Sequence, residues 1–383
     1  MSERLGTTRR SLEINHCYNG CGEARAEVSR PAHQAAALRI SMDLATILAR
    51  LLNRQELAPQ EVSFLLEAMT QDQADPVQMA ALLTAWRAKG ETANELSAAC
   101  QWLRQRMVRV DTGGLAVVDT CGTGGDEQGT FNVSTAAALL TAACGVPVVK
   151  HGNRSVSSRS GSADVLERIG VRVALTAEEA SACLRQTGFA FCFAPRFHPV
   201  LARVAEVRRR LGFRTIFNLL GPLLNPAGAK WQLLGVGKPE LLDLLAQTLA
   251  RLGEVRALVV HGSDGLDEIT LSGPTHVRKV ANGLVEAEVW YPETFGLPRY
   301  PTATFRVAHA EQSAQWLQAI FAGERLPARD MVLANTAAAL YLCGRVERVV
   351  DGVSLAAATL DSGAAQRLVQ SLVAITHGQL ADH

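Results

Sequence analysis

Several kinds of function lose support from what this chain lacks. No apolar run approaches the roughly 20 residues that cross a bilayer, and no secretory signal opens the sequence. Lys and Arg number 38 against 37 Asp and Glu, a net charge of +1. No basic field therefore draws the chain to nucleic acid or to an anionic membrane surface. The eight cysteines are scattered, and Cys121, Cys144, Cys192 and Cys343 sit in apolar runs. They read as reduced core thiols, which leads us to expect a cytoplasmic protein. His16, Cys17 and Cys21 are too few and too irregularly spaced for a metal site, and a solvated tail is the better reading. No GK[ST] closes a phosphate loop, GxGxxG does not occur, and no Ser–His–Asp or Cys–His arrangement supplies a nucleophile. No short repeat or low-complexity tract is visible.

What is present concentrates in two stretches, DTCGTGGDEQGTFNVST (119–135) and KHGNRSVSSRSGSAD (150–164). Gly122, Gly124 and Gly125 allow a sharp turn that brings backbone N–H groups close to an anion. Val117 and Val118 precede them as a strand. A helix follows from about Ser134 through Ala136–Leu140, with Gly145 as its stop. Strand, glycine loop and helix N-terminus together make an anion site. Asp126 repels phosphate, so it serves either sugar hydroxyls or a metal. Ser134 and Thr135 suit a phosphate-bound Mg²⁺ or, equally, helix capping. A second strand, Val146–Val149, delivers Lys150, His151 and Asn153 to the same region. Asp267 and Glu268, after Gly265, either cap a turn or offer hard oxygens to Mg²⁺.

At 383 residues and 48% hydrophobic, the chain is long enough for more than one domain. Residues 1–41 are polar and without periodicity. Four short helices follow. The first two carry apolar stripes at Leu44, Ile47, Leu48, Leu51 and Leu52, and at Val62, Leu65, Leu66 and Met69. Asp75 and Pro76 open the third, and Thr92 and Glu95 have capping-box spacing before the fourth. From Ala116 onward strands alternate with helices. Phe189–Phe193 and Ala257–Val260 read as strands, Leu241–Leu252 as a helix, and Thr176–Glu179 repeats the capping box. We therefore expect an α/β fold with a mostly parallel central sheet.

GTGGD, NVST, KHGNR and SGSADVLE, in this order and spacing, resemble the anthranilate phosphoribosyltransferases. HPVLARVAEVRRRLGFRTIFNLLGPLLNPAG (198–228), LLGVG (233–237) and HGSDGLDEIT (261–270) agree. The resemblance covers the chain from about Asp43 to its end. It implies a nucleoside phosphorylase/phosphoribosyltransferase-like fold with a small helical domain (42–110, with 198–222 returning to it) and a larger α/β domain (111–383). The polar extension (1–41) has no counterpart in the resemblance. It implies transfer of the phosphoribosyl group of phosphoribosyl pyrophosphate (PRPP) to the amine of anthranilate, with Mg²⁺, in tryptophan biosynthesis.

For PRPP it implies Gly122, Gly125, Asp126, Thr130, Asn132, Val133, Ser134 and Thr135. It adds Lys150, His151, Gly152, Asn153, Arg154, Ser155, Val156, Ser157, Ser158 and Ser162. It implies Gly122, Asn153 and Arg208 for anthranilate, Ser134, Asp267 and Glu268 for the metal, and a homodimer through the helical domain. Arg208 suits a carboxylate because a guanidinium donates two parallel hydrogen bonds; Arg209 and Arg210 are expected to be solvated or paired. Arg159 stands where the family often has lysine, and Arg196 places a cation near the expected route of anthranilate. A pyrimidine nucleoside phosphorylase carries lysine and serine ahead of the glycines, where this chain has Asp119, Thr120 and Cys121. A non-catalytic, nucleic-acid-binding relative would show a basic cleft and broken metal motifs.

Overall fold

The computed structural model describes residues 43–126, 128–154, 161–253 and 255–378. The 1–41 extension therefore lies outside the described residues. The chain begins with four helices, α1 (Leu44–Leu52), α2 (Pro59–Thr70), α3 (Pro76–Lys89) and α4 (Ala93–Arg104). Their starts follow the sequence chemistry. The Asp75 carboxylate accepts from the N–H groups of Val77 and Gln78, and Thr92 and Glu95 close a reciprocal capping box. Glu95 does more than cap. Fully buried, it accepts from Leu57 N, Trp86 Nε1 and Lys89 Nζ, and so ties α3 and α4 to the segment that leads into α2. The α1 stripe is narrower than expected: Ile47 and Leu51 are buried, whereas Leu52 is 68% exposed.

The α/β part runs β1 (Val118–Gly122), α5 (Val133–Ala143), β2 (Val148–Gly152), α6 (Ser162–Arg168), α7 (Ala177–Thr187), β3 (Phe189–Phe193) and α8 (Ala194–Phe197). Next come α9 (Ala202–Leu211), α10 (Ile216–Leu220), β4 (Trp231–Gly235), α11 (Glu240–Leu252), β5 (Arg256–Gly262), β6 (Thr275–Ala281) and β7 (Leu284–Trp290). Four helices close the chain: α12 (Ala310–Phe321), α13 (Pro327–Leu342), α14 (Val349–Asp361) and α15 (Ala364–Thr376). The sheet order is β3-β2-β1-β4-β5-β6-β7. The first five strands in that order are parallel, and β6 and β7 add an antiparallel hairpin. The second strand begins two residues later than its apolar run, because Pro147 has no N–H to give the ladder.

Alternate residues feed opposite faces of the sheet. Val118, Leu233, Leu258 and Val260 pack under α5, α13 and α14. Cys121, Leu234, Ala257 and Val259 pack on the other face with α11. That second cluster continues without a break into the apolar sides of α1–α4 and takes in Val204 and Val207 of α9 and Ile216 to Leu220 of α10. Among the described residues, no helix is long and apolar enough to cross a membrane.

The chain leaves β1 for β2 and β3 on one side, then returns to lay β4 and β5 on the other. The strand order thus reverses between β1 and β4. Open α/β sheets bind ligands beyond the carboxyl ends of the strands at such a reversal.

Candidate active site

A cavity of about 830 Å³ opens at that point. Gly122 ends β1, and the chain turns there into the glycine loop. The loop carries Gly124 and Gly125 at positive φ, +61° and +73°. A second loop, carrying Asp267 and Glu268, passes so close that side chains are excluded. A Cβ on Gly122 would sit 2.4 Å from Asp267 Oδ2, and one on Gly235 would sit 1.6 Å from the Asp267 carbonyl oxygen. Glycine at both strand ends is therefore a requirement of the acidic loop.

The Asp267 carboxylate accepts from the Gly124 N–H at 2.9 Å. Glu268 accepts from Ser134 N at 3.0 Å, at the N-terminus of α5. Burial, then the neighbouring Asp267 charge, holds Glu268 well above the usual carboxylate range. Burial and Asp267 also push Asp126 up to about 7, and burial raises Asp267. Three crowded, half-buried carboxylates whose charged forms are disfavoured suit a cation. Among the described residues, no three His, Cys, Asp or Glu side chains form a ready cage for one. Two carboxylates and the Ser134 hydroxyl nevertheless suit Mg²⁺, which takes its remaining ligands from phosphate and water.

Lys150 is 2% exposed. Its ammonium donates to the Thr120 carbonyl and, at 3.2 Å, to Ser134 Oγ, so it anchors the floor of the cleft. Beneath it lies Asp119, fully buried and pushed up to about 6 by desolvation. Asn225 Nδ2 donates to Asp119 Oδ2 at 2.8 Å and to the Val149 carbonyl at 2.7 Å, and His151 N donates to Asp119 Oδ1 at 3.3 Å. Asp119 and Asn225 thus hold β1 and β2 in register behind the site.

His151 lines the cleft with its ring fixed. Its Nδ1 faces the Gly221 carbonyl at 3.1 Å, which makes Nδ1 the protonated nitrogen. His198 Nε2 lies 3.2 Å from His151 Nε2 and therefore donates to it. Burial lowers the two rings to about 3 and about 4, so both are neutral. Among the described residues, no partner meets hydrogen-bond geometry with His198 Nδ1.

Arg208, in the last turn of α9, lines the opposite wall. Its guanidinium stands 5.3 Å over the Phe217 ring and reaches Asn218 Oδ1 at the long distance of 3.5 Å. Its Nε is buried and, among the described residues, has no hydrogen-bond partner. A desolvated guanidinium with an unused donor is a receptor for an anion. Arg209 is solvent-facing at the rim and pairs with Glu206 at 2.5 Å.

Gly122, Gly125, Asp126, Thr130, Asn132, Val133, Ser134, Lys150, His151, Gly152, Asn153, Arg154, Ser162, Arg208, Asp267 and Glu268 all line this one cavity. Thr135 does not. It is fully buried in the first turn of α5, whose N-cap is Asn132, accepting from Thr135 N at 3.1 Å. Arg154 lines the cavity with its charge already engaged, since its two terminal nitrogens grip Glu167 at 2.5 and 2.6 Å. Arg196 is absent from the lining; it is exposed on α8, within electrostatic reach of Glu179. Ser155, Val156, Ser157, Ser158 and Arg159 lie outside the described residues.

Sequence reasoning passed over Arg214, which donates to the carbonyls of Thr123 and Gly124. It also passed over Asn335, which holds Ile269 beside Glu268 by both backbone groups, at 3.0 and 3.1 Å. A cation six residues after Arg208 was the available signal for the first; nothing local marks the second.

Two family models match, the glycosyl transferase family helical bundle domain over residues 45–107 and its a/b domain over 114–366. The anthranilate phosphoribosyltransferase of Pelotomaculum thermopropionicum is 46% identical over 327 residues, which is 85% of this chain and 95% of that protein. The chain belongs to the anthranilate phosphoribosyltransferase family. Solved anthranilate phosphoribosyltransferases have the same architecture. That of Thermus thermophilus is 39% identical with a TM-score of 0.81, covering 86% of this chain and 99% of that one. The Saccharomyces cerevisiae enzyme in complex with PRPP and Mg is 26% identical, with a TM-score of 0.81, and covers 88% of this chain and 99% of its own. The same yeast anthranilate phosphoribosyltransferase has been solved with 4-fluoroanthranilate.

Proposed function

We propose that this chain transfers the phosphoribosyl group of PRPP to the amine of anthranilate, releasing pyrophosphate, as a step of tryptophan biosynthesis. The observation that carries the reading is a pair of facing receptors in one cleft. A glycine loop and helix N-terminus lie opposite paired acids, and a desolvated arginine with an unused donor faces them. The first suits a metal-bound diphosphate, the second an aromatic carboxylate.

The glycine loop and the dipole of α5 favour the phosphates, although Ser134 N and Thr135 N are already taken by Glu268 and Asn132. Arg208 orients anthranilate through its carboxylate, with the Phe217 ring beside it. The neutral His151–His198 pair keeps that wall polar without adding charge, so nothing there protonates the amine that must attack C1 of the ribose. Negative charge grows on the departing pyrophosphate and positive charge on the sugar. Donors fixed before the reaction stabilise the first. Ser134, Asp267 and Glu268 would hold Mg²⁺, whose contribution when bound is to neutralise the diphosphate. No covalent nucleophile is required.

We also read residues 42–110 with 198–222 as a helical domain beside an α/β domain of 111–383, on the shared apolar cluster of α1–α4, α9 and α10. We infer a homodimer through this helical part, on which Leu52 and Val77 stand 68% and 78% exposed. The six described cysteines are all free thiols, which suits the cytoplasm. The decisive assay follows the loss of anthranilate fluorescence by the purified chain. Turnover should require both PRPP and Mg²⁺, and Glu268→Gln should raise the Mg²⁺ needed. Equal turnover in EDTA would remove the metal, and no turnover with both present would remove the function.

A further inference from the structure

We propose that Arg214 is a positioning residue that sets the glycine loop in its phosphate-receiving shape and, through the loop, orients Asp267. The proposal rests on the reading of the cleft as a PRPP site. Arg214 lies just after Gly212, which turns the chain at φ +69° out of α9, and just before α10. Both helices join the apolar cluster of α1–α4. The side chain crosses from that helical side to the α/β side.

Its Nη1 donates to the Gly124 carbonyl at 2.8 Å and its Nη2 to the Thr123 carbonyl. Two adjacent peptide planes are thereby fixed from one side. In a trans peptide the N–H points opposite to the C=O. Drawing the carbonyls of Thr123 and Gly124 toward Arg214 therefore turns the N–H groups of Gly124 and Gly125 away from it. The Gly124 N–H meets Asp267 Oδ2 at 2.9 Å, as this geometry requires.

Residue 125 is at φ +73°, which favours glycine by itself, and Arg214 also fills the space a side chain would need. A Cβ there would stand 1.7 Å from Arg214 Nη1 and 2.9 Å from its Cζ. A lysine keeps the charge of Arg214 but has a single nitrogen, and so cannot hold two carbonyls in one fixed fork. This separates a clamp from a charge that simply attracts phosphate.

The test uses the full chain with Mg²⁺, PRPP and anthranilate, and the variants Arg214→Lys, Arg214→Ala, Gly125→Ala and Arg214→Ala with Gly125→Ala. Arg214→Lys and Arg214→Ala should each raise the KM for PRPP by about tenfold, the usual worth of a charge-assisted hydrogen bond. The KM for anthranilate should move by less than about threefold, because Arg208 is untouched. Gly125→Ala should cost less when Arg214 is already alanine, because the clash is then gone and only the strain at φ +73° remains. A wild-type PRPP KM in Arg214→Lys would overturn the clamp in favour of charge alone, and additive effects of the two sites would also overturn it. Should the wild-type chain fail to use PRPP, that failure would refute the substrate reading and leave the clamp to be decided by melting. The same four proteins then give the Arg214–Gly125 coupling directly, with additive melting shifts counting against the clamp.

Discussion

Arg208 shows how a single side chain can be held ready at a cost to the free protein. Desolvation lowers its pKa, and its Nε is buried without a partner among the described residues. An arriving carboxylate satisfies what the protein leaves open. Arg208→Ala should therefore raise the KM for anthranilate by tens of fold, from the loss of about 2 kcal/mol of charge-assisted contact. The KM for PRPP should stay within about threefold, and the melting temperature should hold or rise slightly, because a poorly satisfied buried cation is gone. Steady-state kinetics and a thermal melt check both halves. Arg208, Asp267 and Glu268, named through the family resemblance, all line the one cavity. Arg196 misled, because a charge near an interesting segment says nothing of which way the helix turns it.

At the scale of elements, caps and apolar periods marked α1–α5, α7, α11 and the parallel strands β1, β2, β3 and β5, since both are local signals. The other helices and β4 were not read, and two further features escaped. The antiparallel hairpin of β6 and β7 turns at Asn282 and Gly283, both at positive φ, a strong hairpin signature that the focus on alternating strands and helices left unused. The start of α5 was placed at Ser134, whereas Asn132 caps it, because Ser, Thr and Asn within four residues are all competent caps. The support of the acidic loop was not legible at all. Asn335, from the middle of α13, accepts from Ile269 N and donates to Ile269 O across 66 residues. Asn335→Ala should destabilise the protein by about 2–3 kcal/mol, since two buried backbone groups lose their partner. It should also raise the Mg²⁺ concentration for half-maximal rate, because Glu268 is the preceding residue. Urea unfolding and a Mg²⁺ titration of the rate test the two effects.

For the whole molecule, the family models begin only at residue 45, and the Pelotomaculum relative is 95% covered by an alignment that spans 85% of this chain. Asp43 caps α1, its carboxylate accepting from Thr46 N at 2.7 Å. A chain beginning at Met42 should melt like the full-length protein and keep its full kcat. Aggregation or a lost dimer, read by light scattering, would make residues 1–41 part of the working fold. The continuous apolar cluster joining α1–α4 to the sheet face further implies that helical and α/β parts unfold in a single transition.

The reversal of strand order between β1 and β4 has a consequence for how the protein comes into being on the ribosome. The glycine loop and Lys150 emerge early, but their acidic counterpart lies more than 100 residues further on, and Asn335, which braces it, later still. Over the stretch of synthesis between Lys150 and Asp267 the chain carries an open anion cradle with no opposing wall. Substrate therefore cannot template the nascent protein, and any stabilisation by PRPP and Mg²⁺ begins only once α13 has been made and has closed over the sheet.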